Sequence, residues 1–303
     1  MPRAHYSRYE PRSHAPTATA SLPTAAKPPS LAVARLAVMG TISVIVPSLN
    51  DAGFLAACLD ALARQTRPAD EIIVVDNGST DATAAVARAA GARVVDEPVR
   101  GIWPATAAGF DAASGDLLAR LDADSVPAPD GLAEIERRMG AADRPTAVTG
   151  SGQFYGGNPV LRWIAHNIYI GGYFTVIGAV LGHPPIFGSN YAIRAEAWAV
   201  LRDIVHRDRP DLHDDLDLSW WLQPGMTVVR ERRLVVGVSA RPFDSVAGLA
   251  RRVHMAFHTL AAEWRAWPPL ERRADRRRGH DHGDASLAQA SAGEADGERP
   301  LPA

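Results

Sequence analysis

Residues 117–127, LLARLDADSVP, put two carboxylates, Asp122 and Asp124, at the end of a run that reads as a buried strand. Leu117, Leu118, Ala119 and Leu121 form the apolar approach, and the turn residues Ser125 and Pro127 close it. The acids therefore sit at a strand's carboxyl edge, the rim at which open α/β sheets bind ligands. Two acids so spaced on chain leaving a sheet can share one divalent cation with a phosphate-bearing substrate, because Mg²⁺ and Mn²⁺ take few carboxylates plus phosphate oxygens. A solvated Asp-rich turn has the same composition, so the neighbouring sequence decides between the two.

Upstream, TISVIVPSLND at 41–51 is a β-branched apolar run ending in Pro and polar turn residues, as a core parallel strand followed by a ligand-facing loop should be. Asp51 is placed to N-cap a helix in which Phe54, Leu55, Cys58, Leu59 and Leu62 recur at helical spacing, with Arg67-Pro68 ending it. DEIIVVDNGSTDAT at 70–83 gives a second short strand over Ile72 to Val75, a turn at Asn77-Gly78, and a helix opened by Ser79, Thr80 or Asp81. Strand and helix alternate, which predicts a parallel sheet. LHDDLDLSWWL at 212–222 supplies three more acids, Asp214, Asp215 and Asp217, before Leu218, Trp220 and Trp221. They suit either a catalytic base or the positive end of a helix.

SVIVPSLND at 43–51, EIIVVDNGSTD at 71–81, GDLLARLDADS at 115–125, FGSNYAIRAEAW at 187–198 and HDDLDLSWWLQPG at 213–225 together resemble glycosyltransferase family 2, over roughly residues 41–245. The resemblance implies a GT-A fold: α/β, with a mostly parallel central sheet, helices on both faces and a Rossmann-like nucleotide-binding half. It implies inverting transfer of a sugar from a nucleoside diphosphate sugar to an acceptor hydroxyl, with Asp122 and Asp124 holding Mn²⁺ or Mg²⁺ against the leaving diphosphate. Asp214-Asp215 align with the family's Glu-Asp motif, which assigns the base to Asp215. Asp76 falls where the family reads the nucleobase and can accept the imide N–H of uracil, or serve only the turn before Asn77-Gly78. Pro47, Ser48 and Asn50 line the same base and ribose. Guanine also offers an N–H beside its carbonyl, so a UDP-sugar is favoured while the base stays open. Gly188, Ser189 and Asn190 match the acceptor-side loop, with Arg194 and Trp198 beginning the next helix. Trp220 or Trp221 offers a stacking face to a sugar, or packs in the core.

Two departures qualify the match. Thr106 and Ala107 stand where the family often has an Arg-Asn pair, with Arg100 nearby either to approach the diphosphate or as an ordinary loop arginine. The strand at 233–243 has Ser239 where a histidine ligand is common. His254 and His258, one helical turn apart, are a weaker metal pair or a solvated face.

The formal charge of −2 excludes a general nucleic-acid binder, which needs a basic surplus. Cys58 is the single cysteine, so no disulfide or cysteine metal site exists within the chain, as suits a reducing cytoplasm. Residues 1–38 read as a disordered leader without a signal peptide's order, with Met1 or Met39 as the start. Residues 39–270 read as the GT-A domain, its nucleotide-sugar half at about 41–127 and its acceptor half at about 128–270, and 271–303 as a disordered tail whose HDHGD is metal-like in composition but suits a solvated His-rich stretch better. Arg272, Arg273, Arg276, Arg277 and Arg278, beside the aromatic 251–270 segment, form either a basic surface resting on anionic lipid or a core-packed helix. Ile168 to Leu181 is nearly uncharged but shorter than the roughly 20 residues that span a bilayer, so it reads as a buried or interfacial element near the acceptor cleft.

The expected protein is a cytoplasmic glycosyltransferase, peripheral at the inner face of the membrane if it is attached at all. It would act on a glycan, lipid-linked or small-molecule acceptor in cell-envelope glycan synthesis. The alternatives are a nucleotide-sugar-binding protein without turnover and a nucleotidyltransferase. The latter usually has a basic phosphate loop after the first strand, where this chain has PSLNDAG at 47–53 with no Lys or Arg.

Overall fold

The computed structural model describes residues 40–156, 163, 167, 170–241 and 246–278. The chain divides into Met1–Val38, outside the described residues, and Met39–Ala303. Eight strands form one sheet: β1 Ile42–Ser48, β2 Glu71–Asp76, β3 Arg93–Asp96, β4 Leu117–Arg120, β5 Val126–Pro127, β6 Ala147–Tyr155, β7 Tyr191–Arg194 and β8 Val228–Ser239, in the order β3-β2-β1-β4-β7-β6-β8-β5. The first four in that order are parallel, and the sheet becomes antiparallel where β4 meets β7. That reversal lies immediately beside the turn carrying Asp122 and Asp124.

Side-chain alternation divides the core into two layers. Ile42, Val44 and Val46 of β1 pack with Leu55, Cys58, Leu59 and Leu62 of α1 (Ala52–Ala63), Ala87 of α2 (Thr83–Ala89), and Leu132, Ile135 and Met139 of α4 (Gly131–Met139). Ile45 of β1 and Ile73 and Val75 of β2 face the opposite way, onto Trp103 and Phe110 of α3 (Ile102–Ala112), Trp198 of α6 (Ala195–Leu201) and Leu218 of α7 (Asp214–Trp221). Both faces being covered explains why Val44, Ile45 and Val46 of β1 and Ile72, Ile73, Val74 and Val75 of β2 run apolar without alternating. Gly109 lets α3 lie against the sheet, since a Cβ there would come within 2.4 Å of Ile45.

A π-helical stretch, Tyr173–Ile177, runs into α5 (Gly178–Leu181). Val246–Ala266 forms α8, and residues 269–278 form a last helix, α9. No helix among the described residues is long and apolar enough to cross a membrane. The leader, Met39, the HDHGD stretch and parts of 157–169 lie outside the described residues.

The expected end of order near residue 270 is corrected by α9. Arg272 is fully buried, donating to the carbonyls of Ser219 (3.0 Å) and Trp220 (2.7 Å), while Arg276 donates to those of Leu222 (3.1 Å) and Met226 (2.6 Å). These two arginines satisfy carbonyls at and beyond the C-terminal end of α7. They are therefore not part of an exposed basic cluster.

Candidate active site

Arg120, the last residue of β4, organises the site. An arginine at the end of an apolar strand is sterically acceptable but must have partners, because an unpaired buried charge is costly. Arg120 is 2% exposed and finds anions on both sides. Its Nη1 lies 2.6 Å from Asp122 Oδ1, its Nη2 3.2 Å from Asp214 Oδ2, and Nη1 also donates to the Gly188 carbonyl. Asp214 Oδ2 accepts from Thr106 Oγ1 at 2.8 Å, so Thr106 orients a site acid without supplying charge. Gly188 then donates its backbone N–H to Asp215 Oδ2 at 2.9 Å. A side chain at 188 would collide with both groups, its Cβ lying 2.9 Å from Asp215 Oδ2 and 3.3 Å from Arg120 Nη1. Ser189 completes the loop by donating Oγ to Asp122 Oδ2. Burial, and then the adjacent Asp214 charge, raise the Asp215 carboxyl above its ordinary range.

Asp124 lies beyond this hub and meets a second arginine. Arg241, just past β8, donates Nη2 to Asp124 Oδ2 at 3.0 Å and Nη1 to Asp51 Oδ1 at 2.8 Å, with its guanidinium 3.8 Å from the Phe54 ring centroid. Asp51 is the N-cap residue of α1 by position, yet its side chain makes no capping hydrogen bond and goes to Arg241 instead. Burial and the Asp122 charge raise the Asp124 carboxyl. The pair Asp122 and Asp124 fits a divalent cation: its donors are hard oxygens, and added positive charge would relieve the repulsion that raises Asp124. Below the turn, burial pushes the Cys58 thiol up to about 12, consistent with a packing residue rather than a nucleophile.

The base-side loop is tightly wound. Asn50 has φ 54 and accepts from Thr80 N–H at 2.8 Å, and Asp76 Oδ1 accepts from Ser79 N–H at 2.9 Å, so Asp76 does serve its turn. Pro47 and Ser48 end β1 beside it, and Ser48 Oγ is buried without a hydrogen-bond partner. Arg100 donates to the Gly78 carbonyl at 3.0 Å, which ties it to this loop.

The family model for glycosyl transferase family 2 matches residues 43–200, more than half of the chain. The protein belongs to glycosyltransferase family 2. A PGL/p-HBAD biosynthesis glycosyltransferase of Mycobacterium tuberculosis is 37% identical over 115 residues, which cover 36% of this chain and 45% of that protein. The glycosyltransferase AglE of Haloferax volcanii is 36% identical over 94 residues, 28% of this chain and 31% of its own. The chain thus aligns with less than half the length of these relatives. A mannosyltransferase of Pyrobaculum calidifontis, solved with GDP-Man and Mn²⁺, superposes with a TM-score of 0.60 at 22% identity, covering 88% of this chain and 78% of that one. Glucosyl-3-phosphoglycerate synthase of M. tuberculosis gives 0.55 at 23%, covering 74% and 80%. These likenesses establish the GT-A fold of the family 2 chain.

Several expected site residues are placed elsewhere. Asn190 is 3% exposed and points into the sheet, donating Nδ2 to the carbonyls of Ser151 (3.2 Å) and Leu234 (3.1 Å), which corrects its assignment to the acceptor. Trp220 is fully buried with Nε1 on the Trp267 carbonyl at 3.1 Å, so it offers no face to a sugar. Trp221 packs against the Trp267 and His206 rings. Asp217 turns away from Arg120, toward Trp103 Nε1 at 2.6 Å. His254 and His258 stack on one another, with His258 Nδ1 3.6 Å from Asp211. Arg120 and Arg241 were not singled out from the sequence. The signal for Arg120 was a charged residue within LLARLD, where every neighbour before the acids is apolar.

Proposed function

We propose that this family 2 glycosyltransferase moves a sugar, with inversion, from a nucleoside diphosphate sugar to an acceptor hydroxyl deprotonated by Asp215. The observation that carries this reading is the Arg120 bridge. One buried guanidinium holds Asp122 of the donor-side motif and Asp214 of the acceptor-side motif, with Asp215 one hydrogen bond away on Gly188. On this reading a base and a leaving-group site are held against each other by one side chain. Gly188 N–H orients Asp215 through Oδ2, leaving Oδ1 as the atom that takes the hydroxyl proton. Its raised carboxyl makes Asp215 a stronger base than an exposed aspartate.

Asp122 and Asp124 would hold a divalent cation whose chemistry is to neutralise the departing diphosphate. Arg241 would lie beside the same charge. The unpartnered Ser48 hydroxyl and the second oxygen of Asp76 would receive the nucleoside, with uridine favoured. A glycan or lipid-linked acceptor in envelope synthesis is in keeping with the biosynthetic name of the mycobacterial relative. Peripheral contact with a membrane is supported by Phe257 and Trp264 of α8, which are 68% and 53% exposed.

The test is Asp215→Asn, which keeps size but cannot take the proton. Sugar transfer should fall by roughly 10²–10⁴, while donor affinity by calorimetry stays within about threefold, well under 1 kcal/mol. Wild-type transfer by this variant would sink the assignment of the base, and absence of nucleotide-sugar binding by the wild type would sink the donor class.

A further inference from the structure

Asp217, on α7 but turned away from Arg120, enters a second cluster that the transfer reaction does not use. Its Oδ2 is held by Trp103 Nε1 at 2.6 Å and by the backbone N–H of His206 at 2.8 Å, which turns Oδ1 toward His206 Nδ1 at 2.9 Å. From α8, Glu263 brings Oε1 to 3.2 Å from the same Nδ1. The side chains of Asp217 and Glu263 are both 0% exposed, and neither Glu263 oxygen has a well-aligned hydrogen-bond donor. Buried carboxylates are ordinarily hydrogen-bonded or neutralised.

We propose that His206 Nδ1, Asp217 and Glu263 form a binding site for a zinc-class divalent cation that clamps α7 to α8, sharing no residue with the Asp122–Asp124 pair. Ligand atoms about 2.0–2.2 Å from a tetrahedral ion stand about 3.3–3.6 Å from one another. The two separations at Nδ1, 2.9 and 3.2 Å, need only small adjustment to meet that, and one ligand atom from each residue falls within a 4.8 Å span. Charge gives the second argument. A protonated histidine offsets one of two buried carboxylates, whereas a divalent ion with neutral imidazole offsets both. Trp103 Nε1 and the His206 amide supply the outer hydrogen bonds that fix a ligating carboxylate. Entry is from the His206 edge, where the imidazole is 27% exposed. Mixed nitrogen and oxygen donors suit Zn²⁺ better than Mg²⁺. Such a clamp would set the orientation of α7, and with it Asp214 and Asp215, without touching substrate.

The test uses full-length protein stripped with EDTA and titrated with ZnCl₂ in the absence of nucleotide, by calorimetry and thermal melting, with Co²⁺ absorption as a coordination probe. Asp124→Ala is the background that removes the donor-side acid. That background should bind one equivalent of Zn²⁺, melt at a higher temperature with it, and give an intense visible Co²⁺ band. Adding His206→Ala or Glu263→Gln should weaken Zn²⁺ binding by about 100-fold, the upper end of what even a lost supporting partner costs, and abolish the band. Absence of saturable Zn²⁺ binding in the Asp124→Ala background would overturn the proposal in favour of a proton shared by Asp217 and Glu263. Unchanged binding by Glu263→Gln would overturn it as well. Should His206→Ala fail to fold, Glu263→Gln, which removes a buried charge at constant size, decides the matter alone. Each result is independent of whether sugar transfer is observed.

Discussion

Replacing Arg120 with Met tests whether the donor and acceptor motifs are held by one buried charge. Methionine fills much of the apolar volume of the arginine stem but leaves Asp122, Asp214 and the Gly188 carbonyl without their cation. Asp214 is only 4% exposed at its side chain, so water cannot replace the guanidinium there. Breaking a buried ion pair from one side costs about 3–5 kcal/mol, a large part of the roughly 5–15 kcal/mol that holds a domain together. The cost should depend on pH, with a definite sign. Without Arg120, whose charge partly offsets the effect of burial, the folded-state carboxyl of Asp215 rises further above its unfolded value. A carboxyl raised in the folded state favours folding once it is protonated, so the deficit should shrink as pH falls through the raised value. Urea unfolding should therefore show a loss of about 3–5 kcal/mol at pH 7.5 and a visibly smaller one at pH 5. The double variant Arg120→Met/Asp214→Asn should recover part of it, because the second change removes the stranded charge. A loss under about 1 kcal/mol at pH 7.5, or one equal at both pH values, would mean that the bridge behaves as an exposed pair and that the reasoning is wrong.

Two other outcomes follow from the same structure. Arg241→Ala removes a cation already resting on Asp124, so Mn²⁺ should bind donor-free enzyme several-fold tighter, about 1 kcal/mol for a partly exposed charge. Manganese titration followed by electron paramagnetic resonance reads this, and weaker binding would show that Arg241 supports the site rather than competing for it. Arg272→Ala strips donors from the buried carbonyls of Ser219 and Trp220 and should cost at least about 2 kcal/mol in urea unfolding. A change within about 0.5 kcal/mol would return Arg272 to the exposed basic tail expected from the sequence.

The parts of the fold that depend on local pattern were legible. The runs ending at Ser48 and Asp76 became β1 and β2, the 52–63 periodicity became α1, and the acids of LDADS came to lie at the edge of β4 beside the sheet's reversal. What could not be read was the partner of each charge. Asp51 and Arg241 meet across 190 positions of sequence, and no spacing rule connects them. Trp220 and Trp221 suit a sugar platform or the core equally well by sequence, because what buries them, Trp267 and Arg272, lies 47 and 52 positions beyond Trp220. Arg272 and Arg276 sat in a run of charge that normally marks solvent, and only the unsatisfied carbonyls around the end of α7 explain why they are inside.

Helical geometry accounts for the three acids of α7 without assigning them one purpose. Positions 214 and 217 lie three apart and share the face that meets α3, where Thr106 and Trp103, themselves three apart, receive them in turn. Position 215 is rotated by about 100° from 214 and reaches Gly188 instead. All three acids stand in the first turn and gain from the helix dipole, which is why composition alone reads them as capping. Their side chains nevertheless go to three places: Asp214 to the Arg120 bridge, Asp215 to the loop facing the donor motif, and Asp217 to His206 and Glu263. One short helix carries all three. The proposed base is thus joined to Arg120 through Gly188, while the helix that carries it is joined through Asp217 and His206 to Glu263 of α8.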